Sequence, residues 1–128
     1  MINKSFELLP SIMCINWLDA QSDLNKIAPH VQYFHWDLVD GSFAPDFTMG
    51  SSIINTFREK YNHKGDYHLM IEEPSRLYNS FLFKEGDRVC IHAECSKNLH
   101  RDIIRLKEKG LSPGIALSPA TPLAMLDY

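Results

Sequence analysis

The sequence predicts an α/β fold of the (β/α)8 barrel kind, with only about the first five β/α units present in its 128 residues. Three observations predict it. Short β-like runs alternate with helix-like runs along the whole chain, the pattern of βαβ units and a parallel sheet. Each strand carries one apolar face and one polar or small face, whereas an open sheet with helices on both sides would be apolar on both. A doubly wound sheet usually opens with a glycine-rich phosphate turn after its first strand, and Pro10-Ser11-Ile12-Met13-Cys14 is nothing like it.

The first strand is expected over residues 7–13, followed by a helix over 17–28 in which Ala20, Leu24 and Ile27 form one apolar stripe. In the second strand, 32–39, Tyr33, His35, Asp37 and Val39 share one face, and Phe34, Trp36 and Leu38 share the other. A helix over 51–61 leads to the third strand, 66–71, where Asp66, His68 and Met70 oppose Tyr67, Leu69 and Ile71. The third helix is expected over 75–84, with Pro74 in its first turn and Gly86 as a left-handed cap. In the fourth strand, 88–93, Arg88, Cys90 and His92 oppose Val89 and Ile91. The helix over 97–109 has Ser96 as N-cap, a stripe of Leu99, Ile103 and Leu106, Lys107 and Lys109 in its last turn, and Gly110 as its cap. The fifth strand, 113–118, sets Gly114, Ala116 and Ser118 against Ile115 and Leu117, and a fifth helix begins near Pro122. No repeat, low-complexity stretch or linker divides the chain, so residues 1–128 read as a single incomplete barrel domain.

Composition narrows the function classes. Hydrophobic residues at 45% and charged residues at 23% describe an ordinary globular protein. The net charge of -3, with scattered Lys and Arg, predicts no nucleic-acid surface, although a small anion needs only a local donor cluster. No run approaches the roughly 18 apolar residues of a membrane span, and the first residues, with Lys4 and Glu7, lack the apolar core of a secretory signal. Three cysteines, Cys14, Cys90 and Cys95, fit neither a zinc knuckle nor a disulfide framework; reduced thiols in a cytoplasmic protein are expected.

In a barrel the reacting groups sit at the C-terminal ends of the strands. There the polar face supplies Ser11, His35, Asp37, His68 and His92. A lone inward histidine is more often a hydrogen-bonded core residue than a ligand. Two imidazoles and one carboxylate, His35, Asp37 and His68, converging from neighbouring strands roughly 5 Å apart make a divalent-metal site the sharper reading. His92 is expected to be satisfied by Glu94 or a backbone carbonyl. His30, His63 and His100 are expected in solvent, and Met13 and Met70 are either pocket floor or plain core filling.

The motifs Leu9-Pro10-Ser11-Ile12-Met13, His35-Trp36-Asp37-Leu38-Val39-Asp40-Gly41, Phe43-Ala44-Pro45, His68-Leu69-Met70, His92-Ala93-Glu94 and Leu117-Ser118-Pro119-Ala120-Thr121-Pro122 occur in this order. Together they resemble the ribulose-phosphate 3-epimerase family, including its allulose-6-phosphate 3-epimerase branch, over nearly the whole chain. The resemblance implies a barrel of the ribulose-phosphate-binding type and a small sugar-phosphate substrate. It implies a divalent ion, zinc, ferrous iron or manganese, on His35, Asp37 and His68. It implies Asp37 as one of two acid/base carboxylates, Ser11 and His68 in contact with substrate, and Met13 and Met70 beside the reacting carbon. A homo-oligomer is expected. Three positions depart from the family pattern: Val39 stands for a usual Met, Ser118 for Asn, and Glu73 for the Asn before Pro74.

The family's second acid/base, an aspartate on the seventh strand, and the glycine-rich phosphate loops after strands six to eight are not among these residues. A complete barrel takes 200 residues or more, so roughly 70 to 100 further residues are expected. The end of the chain, Ala124-Met125-Leu126-Asp127-Tyr128, reads as a cut inside a helix pattern. Two rival readings stand beside epimerisation. Decarboxylases and synthases of related barrels use Asp-x-Lys-x-x-Asp, and Asp37-Leu38-Val39 has no lysine at that spacing. The other is a non-catalytic half-barrel that only binds metal or self-associates through open edges.

Overall fold

A computed structural model describes residues 6–127 of the chain. In order, it contains α1 (Ala20–Ile27), β1 (Tyr33–Val39), α2 (Ser51–Lys60), β2 (Lys64–Met70), β3 (Arg88–His92), α3 (Leu99–Glu108) and β4 (Ser112–Ala116). The four strands form one parallel sheet in the order β1-β2-β3-β4. This is the βαβ progression of a (β/α)8 barrel, carried through about half its circumference.

The faces fall as the alternation predicts. Phe34, Trp36, Leu38, Tyr67, Leu69, Val89 and Ile91 lie under the helices with Leu24 of α1, Ile54 of α2 and Leu106 of α3, each at most 3% exposed. Burying one such side chain contributes about 1.5–3 kcal/mol. At the β4 edge the rule lapses, because Ile115 is 39% exposed.

Three predicted elements differ. The stretch over 7–13 runs beside β1 but makes a single parallel bridge, Ser11 with His35, where the His35 N–H donates to the Pro10 carbonyl at 2.9 Å. Pro10 has no N–H to contribute to a ladder, and Ile12–Cys14 then curls into a 3-10 turn. The helix expected over 75–84 is reduced to the 3-10 turn Pro74–Arg76 followed by open turns. Asn55 of α2 takes over the backbone there: its amide donates to the Ser80 carbonyl at 2.9 Å and its oxygen accepts from the Leu82 N–H at 2.9 Å. The predicted fifth helix is a short 3-10 stretch, Leu123–Leu126.

Smaller corrections concern caps. The oxygen of Asn98, not Ser96, caps α3, accepting from the Arg101 N–H at 3.0 Å, while the Ser96 hydroxyl donates to Asp102 at 2.6 Å. Gly110 closes α3 at φ +75°, as predicted. Gly86 is also left-handed, at φ +82°, but ends a turn and not a helix.

A polar knot pins the far ends of the strands. Asp87 is fully buried, and its two oxygens accept from Arg58 Nη2 at 2.9 and 2.8 Å, from the Gly65 N–H at 2.7 Å and from the Lys84 N–H at 2.8 Å. Arg58 also donates to the His63 carbonyl.

Candidate metal centre

Strand register brings the polar residues together. In the β1–β2 ladder His35 lies opposite Asp66 and Asp37 opposite His68. All four side chains point to the inner face, and Ser11 joins from the neighbouring bridge. Ligand atoms of His35, Asp37 and His68 lie within 4.8 Å of one another. Their side chains are 24%, 21% and 28% exposed, so the cluster is sheltered yet reachable.

The hydrogen bonds prescribe which atoms face the centre. His35 Nδ1 lies 2.6 Å from Asp66 Oδ2 and its Nε2 lies 3.0 Å from Asp37 Oδ1. A carboxylate can only accept, so Nδ1 carries a proton toward Asp66. The remaining Nε2 then confronts another carboxylate oxygen. Without a positive charge between them, two lone pairs would oppose each other. A proton on Nε2 or a divalent cation supplies that charge, and an imidazole oriented by a carboxylate behind it is a common arrangement for metal ligation. The Ser11 hydroxyl donates to Asp37 Oδ2 at 2.7 Å, which fixes the plane of the carboxylate. His68 Nδ1 stands 3.7 Å from Asp37 Oδ1, beyond hydrogen-bond distance. Burial, with His92 and the positive charge that His35 can carry adding to it, lowers the His68 pKa and favours the neutral imidazole that a metal requires; Asp37 opposes this. The donor set, two imidazoles and a carboxylate, therefore fits a divalent ion.

The remaining sequence-predicted residues are distributed differently. Met70 sits on the inner face at the end of β2, opposite Val39. Met13 belongs to the 3-10 turn after Ser11 and lines an apolar cavity of about 320 Å³ with Trp17, Phe47, Thr48, Met49 and Ile53. His92 does not rely on a backbone carbonyl: its Nε2 lies 2.8 Å from His68 Nε2 and its Nδ1 lies 3.5 Å from Glu94 Oε2. His63 is not simply solvated, since it stacks on Phe34 with ring centres 4.3 Å apart and its Nε2 is 2.8 Å from the Ala28 carbonyl. Cys14, Cys90 and Cys95 are all free thiols, as expected, and burial pushes Cys95 up to about 11.

Sequence reasoning misses two contributors. Asp66 falls on the inner face in the alternation pattern, but its part behind His35 follows only from strand pairing, which sets the two opposite each other. Asp40 gathers the loops above the site: it accepts from the Ser42 and Phe43 N–H groups at 2.9 and 3.0 Å and from the Glu72 N–H at 2.8 Å. Partial burial alone would raise its pKa, but these amides outweigh it and hold the carboxyl below its usual range.

A half-circumference of parallel β/α units with a His-Asp-His cluster near the strand ends defines the class: a barrel with a candidate metal centre on its inner face. Residues 7–128 match the Ribulose-phosphate 3 epimerase family, and the chain belongs to that family. It is 32% identical to ribulose-phosphate 3-epimerase of Treponema pallidum (strain Nichols) over 126 residues, which cover 98% of this chain and 58% of that protein. The enzyme of the same name from Bacillus subtilis (strain 168) is 32% identical over 123 residues, 95% of this chain and 57% of the relative. That of Synechocystis sp. (strain ATCC 27184 / PCC 6803 / Kazusa) is 30% identical over 130 residues, 99% and 56%. The chain thus spans somewhat over half the length of these three relatives. No helix among the described residues is long and apolar enough to cross a membrane.

Proposed function

We propose that the protein to which these residues belong epimerises a 2-ketose phosphate at carbon 3, converting D-ribulose 5-phosphate to D-xylulose 5-phosphate in the cytoplasm. The observation that carries this is the convergence of His35, Asp37 and His68 within 4.8 Å on the inner face of a ribulose-phosphate 3-epimerase family chain. Ribulose phosphate is favoured over allulose 6-phosphate because the relatives from Treponema, Bacillus and Synechocystis are ribulose-phosphate 3-epimerases.

The proton to be removed lies beside a carbonyl. His35, Asp37 and His68 would hold the divalent ion, whose charge, when bound, stabilises the enediolate oxygens. Asp37, fixed on a rigid strand and oriented by the Ser11 hydroxyl, takes or returns the proton on one face of the sugar. Inversion requires a second acid on the opposite face, from the part of the barrel that this chain does not span. Ser11 and His68 contact the substrate, and Met13 and Met70 line the space beside the reacting carbon. Zinc, ferrous iron and manganese all suit the donor set.

The test is the epimerase activity of the intact protein with Asp37→Asn. The substitution preserves shape and removes the base, so turnover should fall by roughly two orders of magnitude or more. A near-normal rate would remove Asp37 from the chemistry.

A further inference from the structure

We propose that His92 is a positioning residue for the metal-facing imidazole of His68: it occupies His68 Nε2 and leaves Nδ1 as the one nitrogen free to ligate. The inference rests on the reading of His35, Asp37 and His68 as ligands.

His68 presents two nitrogens to two different neighbours. Nδ1 points toward Asp37, 3.7 Å from Oδ1, and Nε2 is hydrogen-bonded to His92 Nε2 at 2.8 Å. The two rings are nearly coplanar in orientation, with 16° between their planes and centres 5.0 Å apart, which suits an in-plane N–H···N bond. Only one of two facing nitrogens can carry the proton. A His68 that offers the Nδ1 lone pair to a cation must carry its proton on Nε2, so His68 donates and His92 accepts. His92 must then hold its own proton on Nδ1.

The surroundings of His92 are built for that tautomer. The residue is 8% exposed, and its Nδ1 is buried with no hydrogen-bond partner among the described residues, 3.5 Å from Glu94 Oε2. Glu94 offers only acceptors, so it favours a proton on the nitrogen that faces it. Glu94 is itself anchored: its other oxygen accepts from the Ser118 N–H at 2.7 Å and from the Thr121 hydroxyl. Phe43 closes the remaining side of His92, with ring centres 4.4 Å apart. A line of fixed groups therefore runs from the turn after β4 through Glu94 and His92 to His68, parallel in purpose to the Asp66 contact behind His35. Both imidazoles of the candidate centre are thus oriented from behind, one by a carboxylate and one by a second histidine.

The experiment is zinc affinity measured by competition with a chromophoric chelator, alongside the melting temperature of the metal-free protein. His92→Phe keeps the ring and removes the acceptor. It should weaken zinc by roughly 10- to 100-fold with little change in metal-free melting, and His92→Gln, which restores an acceptor, should recover most of the affinity. Equal zinc affinity in the wild type and His92→Phe overturns the proposal and leaves the ligand assignment standing. A wild-type chain that takes up no zinc overturns both. Should His92→Phe not fold, long-range 1H–15N spectra of the unaltered zinc-loaded protein decide. Ligation through His68 Nδ1, with coupling across an Nε2···Nε2 hydrogen bond to His92, supports the proposal, and ligation through Nε2 overturns it.

Discussion

Two aspartates on this small sheet lead opposite lives. Asp87, 0% exposed, has every oxygen answered by a donor: twice by Arg58 and once each by the backbone of Gly65 and Lys84. Asp37, 21% exposed, has one donor of its own in Ser11 and otherwise faces His35 and His68, imidazoles whose free nitrogens can equally be lone pairs. The first cluster is electrically closed, with a fixed cation inside it. The second is short of a positive charge and open enough to receive one. A closed polar cluster holds a fold together, and an open convergent one is where a ligand belongs.

The contrast meets its severest trial in Asp87→Ala. This change leaves the buried Arg58 guanidinium unpaired and the Gly65 N–H without its acceptor, so unfolding in denaturant should lose about 3–5 kcal/mol, or the chain should fail to fold. Asp66→Ala probes the open cluster from behind. Releasing His35 Nδ1 should weaken zinc binding by roughly 10- to 100-fold, while the melting temperature of the metal-free protein stays within a few degrees, because Asp66 is a partner of the site and not of the knot. The smallest effect concerns Glu94. Partial burial raises its pKa, but the Thr121 hydroxyl and the Ser118 N–H outweigh it and hold the group down at about 2, against an ordinary 4.5. A depressed folded pKa stabilises above the unfolded value and is lost as pH falls through the folded one. Resistance to denaturant should therefore fall between pH 4.5 and about 2, and Glu94→Gln should flatten that limb.

The alternation of faces in the second, third and fourth predicted strands is legible because a period of two allows few alternatives once one face must be buried. That periodicity puts His35, Asp37 and His68 on the inner face, and the β1–β2 register then sets Asp37 opposite His68. The first predicted strand is apolar enough to be one, but a ladder needs a donor that Pro10 lacks. The helix expected over 75–84 yields to Asn55, a partner 25 residues upstream of Ser80 that no local pattern announces. The bond between His68 and His92 is hidden for a related reason. Strand register puts Cys90, not His92, beside His68, so only side-chain direction reveals that the two imidazoles meet. Asp87, next to the turn at Gly86, has the sequence surroundings of an ordinary loop carboxylate, and only the fold carries Arg58 to it across 29 residues.

Whether the inner face of this sheet carries a metal centre is decided by zinc stoichiometry and affinity for the purified chain and for His35→Ala, Asp37→Ala and His68→Ala, taken one at a time. One zinc per chain, weakened at least about tenfold by each substitution, is the predicted result. Zinc held with undiminished affinity by all three variants would contradict it.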